Sequence, residues 1–118
     1  MKWYQINQEE KLDTPALLVY PDRVNQNIDR AIEIVGDRGR LMPHVKTHKM
    51  LRVGKMLVGK GITKFKCATI AEAEMMAQAG AENVLIAYQM VGTRVAQLKT
   101  LKQRYPETLF ASLVDCVR

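Results

Sequence analysis

The chain has 118 residues, 47% hydrophobic and 25% charged, and its 18 Lys+Arg against 12 Asp+Glu leave a net charge of +6. That balance excludes wholesale disorder and a collagen-like chain, and the length suits one domain-sized unit rather than two. No apolar run approaches the roughly 18 to 20 residues of a spanning helix. The opening Met1-Lys2-Trp3-Tyr4-Gln5 lacks an apolar leader, and Cys67 and Cys116 form neither a CxxC pair nor a disulfide framework. The expectation is no membrane association and a reducing cytoplasm.

Strand-like and helix-like patterns then alternate along the chain. Residues 16–20 are a short apolar run, followed by the helix opening Pro21-Asp22. Val24, Ile28, Ala31, Ile32 and Val35 fall on one helical stripe that Gly36 closes. A second strand is expected over about 41–46, and Met50, Val53, Met56 and Leu57 repeat at helical spacing before Gly59 and Gly61. A third strand is expected over about 64–68. Thr69-Ile70-Ala71-Glu72 reads as a capping box, and Ile70, Ala73, Ala77 and Gly80 form a stripe of small residues suited to packing on a sheet. A fourth strand over 84–88, a helix marked by Val95, Leu98, Leu101 and Tyr105 and stopped by Pro106, and a fifth strand over 109–114 complete the reading.

Short apolar strands separated by amphipathic helices predict βαβ units, hence an α/β fold with a parallel sheet and flanking helices. An open flavodoxin-like sheet and a (β/α)8 barrel both fit. Five strands suffice for the first, whereas a complete barrel typically needs ~250 residues.

Charge is unevenly spread. From Arg38 to Lys66 there are nine basic residues and no acid. Such a block attracts anionic partners in principle, but a solvated helix face with loop lysines is the commoner outcome. Only Phe65 supplies an aromatic within it, and no nucleic-acid reading motif accompanies it, so no nucleic-acid partner is expected.

The densest chemical cluster is Pro43-His44-Val45-Lys46-Thr47-His48-Lys49, at the end of the second expected strand. Strand alternation would put Met42, His44 and Lys46 on one face, with Lys46 at the carboxyl end, where α/β folds carry their sites. A lysine partly desolvated there has a lowered pKa and a nucleophilic amine. An ordinary surface lysine is the alternative, and the residues alone leave both open. His44 and His48 lack a third ligand nearby, so one is expected to pack or hydrogen-bond and the other to border the site, with no metal bound here. Cys67 reads as a buried structural thiol, and Glu72 with Glu74 as a cap plus an exposed side chain. Tyr88-Gln89 closes the fourth strand, with Tyr88 either a site residue or an amphipathic core-edge tyrosine.

Thr14-Pro15-Ala16-Leu17-Leu18-Val19 with Asn27-Ile28, the segment from Pro43 to Lys49, Cys67-Ala68-Thr69 with Glu72-Ala73 and Gly80-Ala81, and Val84-Leu85-Ile86-Ala87-Tyr88 occur in one order. Together they resemble the D-threonine aldolase and D-serine dehydratase family, from about residue 13 to residue 115. The resemblance implies the N-terminal part of a pyridoxal 5'-phosphate (PLP)-binding (β/α)8 TIM-type barrel of the alanine racemase N-terminal kind (PLP fold type III), with about five strands in this chain. On that reading residues 1–118 are a partial barrel, and the remaining strands and a C-terminal β domain lie outside it. It further implies Lys46 as the catalytic lysine that holds PLP, with His44, His48 and Tyr88 bordering the cofactor. A divalent metal would be held in the full-length protein by residues of the C-terminal domain, not by this segment, and that protein would be a homodimer.

The implied substrate is a small D-amino acid. The implied reaction is a PLP-dependent lyase step, most simply retro-aldol cleavage of D-threonine or a related β-hydroxy-D-amino acid to glycine plus an aldehyde. D-Serine dehydration and amino-acid racemisation are the alternatives within the family, and a non-catalytic PLP-binding protein is the alternative of another class. The segment alone is expected to have little or no activity.

Overall fold

The computed structural model describes residues 2–115. Helix α1 (Pro21–Val35) begins on a proline whose missing amide costs nothing at that position, and it ends at Gly36 in the left-handed region (φ 77°). Its expected stripe is the one that packs, with Ile28 buried and Val24 and Ile32 against the core. Helix α2 (Leu51–Gly59) lies on α3 (Ile70–Ala79) through Gly54, where a Cβ would meet Met76 Sδ at 3.0 Å and Ala79 Cβ at 3.3 Å. The capping box at α3 is present in a shifted form. Thr69 Oγ1 accepts the Glu72 N–H at 3.1 Å, while Glu72 Oε2 accepts the N–H of Ala68 at 2.7 Å rather than that of Thr69. Helix α4 (Thr93–Arg104) is held mainly by Leu101, and its expected stripe residue Val95 is exposed.

The three strands are β1 (Lys64–Cys67), β2 (Asn83–Gln89) and β3 (Leu109–Leu113), all parallel in the order β1-β2-β3. Register runs Phe65↔Val84↔Phe110 and Lys66↔Leu85↔Ala111. Alternation sends Phe65, Cys67, Val84, Ile86 and Phe110 into the core with Leu57, Ala73, Met76 and Leu101 of the helices. Lys64, Lys66, Leu85 and Ala111 point the other way and are less covered, Lys64 exposed and the other three half-buried. A doubly wound open sheet carries helices on both faces, whereas a barrel carries them only outside. Helix packing concentrated on one face, among the described residues, fits the arrangement of a barrel segment.

Two expected strands are corrected. Residues 16–20 form no strand and are almost entirely exposed, Leu17 at 79%. A strand needs a hydrogen-bonding neighbour, and the segment that could supply one turns towards β1, with Lys66 N–H donating to Pro43 O at 2.9 Å. Residues 41–46 reduce to a single parallel bridge, His44↔Lys66, after which Val45–Thr47 wind into a 3-10 turn. The strands present are therefore the third, fourth and fifth expected ones. Residues 2–20 run along the outside and stretch the chain to 61 × 37 × 24 Å, with a radius of gyration of 17.0 Å. A compact chain of this length has about 13.5 Å. Trp3 ties this stretch down, 5.3 Å from the Tyr20 ring and with the Arg23 guanidinium 3.6 Å above it, and the Tyr20 hydroxyl donates to Tyr4 O at 2.6 Å.

Candidate functional site

The site gathers where the 43–50 loop crosses the carboxyl end of β1. His44 is the last sheet-paired residue, and its Nδ1 accepts the Lys46 N–H at 3.3 Å, which starts the 3-10 turn. His48 repeats the device, its Nδ1 accepting the Met50 N–H at 3.0 Å as the chain enters α2. Both imidazoles thus shape backbone. Their spacing of four, which would align them on a helix, aligns nothing here.

Strand alternation predicts Lys46 at a strand end on the same face as His44 and Met42, and partly desolvated. It sits instead in the turn, two residues beyond the bridge, with its side chain exposed. The turn breaks the two-residue alternation on which that expectation rested. Among the described residues no carboxylate lies within ion-pair distance of its amine.

Beneath the loop lies Glu72, 4% exposed, an acid whose capping-box pattern marks it only as a helix cap. Its Oε2 holds the Ala68 amide. Its Oε1 is 3.2 Å from Lys49 Nζ, close enough for an ion pair but not aligned as a hydrogen bond, so this buried oxygen has no hydrogen-bond partner. Burial pushes the Glu72 carboxyl up, but the Ala68 amide and the Lys49 ammonium, helped by His44, outweigh it and hold the group below its ordinary value. A signal for this residue stood in the sequence. After Asp37, Glu72 is the first acid the chain offers, and it follows the nine-cation block.

Burial, followed by the charges of Lys46 and Lys66, lowers the His44 imidazole against the opposing pull of Glu72 and a hydrogen bond to the Lys66 backbone. Burial likewise lowers His48, again against Glu72. Both therefore stand neutral near pH 7, as acceptance at Nδ1 requires. Cys67, fully buried and unpaired, has its thiol pushed up to about 12 by burial and then by Glu72, which makes it the structural thiol expected. Tyr88 lies at the carboxyl end of β2, two positions beyond the Cys67↔Ile86 pair, exposed and beside a register irregularity between Ile86 and Gln89. The structure thus brings His44, Lys46, His48, Lys49 and Glu72 together, and places Tyr88 one strand away on the same sheet edge.

Much of the basic block is tied internally. Lys60 pairs with Asp29 at 2.7 Å, and Arg38 and Lys64 donate to the carbonyls of Lys60 and Gly39. No group of three His, Cys, Asp or Glu residues is placed to hold a metal ion, and no helix is long and apolar enough to cross a membrane, both among the described residues.

The chain thus presents a parallel three-stranded sheet with a lysine-bearing turn at its carboxyl edge. Residues 19–112 match the model of the alanine racemase N-terminal domain, and the chain belongs to that family. It is 36% identical over 94 residues to D-threo-3-hydroxyaspartate dehydratase of Delftia sp. strain HT23, covering 79% of this chain and 25% of that protein. The crystal structure of D-threonine aldolase from Filomicrobium marinum superposes with a TM-score of 0.72 at 31% identity, over 88% of this chain and 28% of the other. A histidine-to-alanine variant of D-threo-3-hydroxyaspartate dehydratase gives a TM-score of 0.69 at 36% identity, over 80% and 24%. The chain falls in the D-threonine aldolase-like branch and spans about a quarter of the length of these relatives.

Proposed function

We propose that this chain supplies the lysine-bearing part of a PLP-dependent lyase acting on small D-amino acids. The observation that carries the reading is Lys46, an exposed amine with no carboxylate partner among the described residues, presented at the carboxyl edge of parallel strands. The residues fit the group. An amine free of an ion pair condenses with an aldehyde more readily than one held by a carboxylate. Two neutral imidazoles beside it add no positive charge. Lys46 Nζ would hold PLP, with His44, His48 and Tyr88 bordering it. PLP bound there supplies the electron sink that lets bonds at Cα and Cβ break.

The chain's own residues do the rest. His44 fixes the Lys46 backbone through its Nδ1, which leaves only its Nε2 edge for other work. Lys46 Nζ is the group we assign to exchange a proton with substrate. The reaction we assign is retro-aldol cleavage of D-threonine or a related β-hydroxy-D-amino acid. A second reading, loss of the β-hydroxyl as water to give a keto acid and ammonia, is favoured by the 36% identity to the dehydratase against 31% to the aldolase. The free, buried Cys67 supports a reducing cytoplasm as the setting.

The test is covalent trapping. Incubation with PLP followed by borohydride should add one pyridoxyl group, mapped by peptide mass spectrometry to Lys46 and abolished by Lys46→Ala. Labelling that spares Lys46 would overturn the assignment. Product analysis on the full-length protein carrying this segment then separates the chemistries: glycine with an aldehyde for cleavage, a keto acid with ammonia for dehydration.

A further inference from the structure

We propose that Glu72 is a positioning residue, a buried anion that pins the Lys46 loop to the end of β1 by gripping Lys49 above it and the Ala68 amide beside it. The proposal rests on the reading of Lys46 as the reactive amine for its consequence, but not for its geometry.

Four observations converge on Glu72. Its side chain is 5% exposed, so the carboxylate was taken out of water and needs compensation from the protein. One oxygen accepts the Ala68 N–H at 2.7 Å, which fixes the carboxylate to the last turn of chain before α3. The other oxygen has no aligned donor and faces Lys49 Nζ at 3.2 Å. Finally, Lys49 holds a backbone φ of 51°, in the left-handed region that a lysine rarely adopts unless something keeps it there. The Lys49 N–H simultaneously closes on Val45 O at 2.9 Å, so this strained residue ends the turn that carries Lys46.

The loop is therefore clamped at both ends. At its start, the His44↔Lys66 bridge joins it to β1. At its finish, Lys49 reaches down to a carboxylate at the N-terminus of α3 that is itself bonded to the residue following β1. Lys46 lies between the clamps, three residues from Lys49, so its position relative to the strand end depends on the ion pair holding. The titratable groups facing Glu72 are Lys49, His44 and His48 of the loop and Cys67 of β1. Of these, Lys49 is the cation within ion-pair distance.

The experiment uses hydrogen–deuterium exchange on peptides covering residues 44–50 of the 118-residue chain, with PLP–borohydride labelling of Lys46 in parallel. Lys49→Met removes the charge from an exposed position and leaves the core untouched. Loss of an ion pair with one buried partner should speed exchange in this loop by about fivefold or more. Lys49→Arg should restore protection to within about twofold of wild type, because it returns the cation. Glu72→Gln keeps an acceptor for Ala68 and should match Lys49→Met; if that variant fails to fold, the Lys49 pair alone decides. Unchanged exchange in Lys49→Met, or Lys49→Arg no better than Lys49→Met, overturns the proposal. Lys46 labelling should slow in step with the loosened loop. If wild type is not labelled at Lys46 while exchange behaves as expected, the clamp stands and the assignment of Lys46 falls, so the two failures are separable.

Discussion

His44 and His48 each spend a ring nitrogen on a backbone amide, and that choice makes the loop sensitive to acid. Protonation at Nδ1 would convert each acceptor into a donor facing another donor. Both imidazoles are lowered from 6.5, chiefly by burial, so the unfolded chain binds these protons more readily than the folded one. Their contribution is therefore fully present above pH 6.5 and is lost as pH falls through the lowered folded values. Glu72, held below 4.5, titrates beneath that window. In His44→Asn the amide oxygen can still accept the Lys46 N–H but does not titrate. We expect the fall in thermal midpoint between about pH 7.5 and 5.5 to shrink in this variant relative to wild type, as followed by circular dichroism. Cys67 supplies a second check: with its thiol pushed up to about 12, it should resist iodoacetamide in the native chain and react once denatured, as read by peptide mass spectrometry. At this scale the sequence disclosed which residues crowd together, because a lysine between two histidines is a local pattern. It did not disclose that Glu72 is buried beneath them, because a capping box is ordinarily a solvent-facing motif and the cover comes from a loop more than 20 residues away.

Helices α1 to α3 were legible because their signals are local: Pro21 and Gly36 bracket one, and Thr69 with Gly80 brackets another. Strands 16–20 and 41–46 were not realised because pairing depends on a neighbour that no local pattern reports. Where α2 meets α3, the two glycines of α2 offer a matched test. A side chain at Gly54 would press on Met76 and Ala79, while one at Gly59 meets nothing within 4 Å. Gly54→Val should overpack this contact and cost about 1–3 kcal/mol. Gly59→Ala should be neutral or gain up to about 1 kcal/mol, by stiffening the unfolded chain. Urea midpoints of the two variants against wild type measure both. A comparable loss in both would show that α2 tolerates no side chain for reasons other than the Met76 contact.

The whole molecule is a sheet finished on one side only. Its helix-covered face is close-packed, but Leu85 and Ala111 are only partly covered and Leu109 and Leu113 are exposed, and β3 ends the sheet with an unpaired edge. The apolar run 16–20 joins no strand among the described residues, and Leu17 and Val19 are open to solvent. Unpaired parallel edges and uncovered apolar strands favour association with any surface that can complete them. At the same time, Lys46 stands exposed at the carboxyl edge of the three-stranded sheet, so a cofactor held there would meet water. Catalysis by such a group relies on a dry, enclosing site that fixes its ring and excludes competing reactions. The isolated 118-residue chain is therefore expected to self-associate as its concentration rises and to bind a hydrophobic dye such as ANS. It is also expected to show little or no turnover of D-threonine even where Lys46 is trapped by PLP and borohydride. Sedimentation velocity across a concentration series and a coupled aldehyde assay test the two halves. A monomeric chain that turns over D-threonine would mean that three strands and a pinned lysine loop suffice for the chemistry.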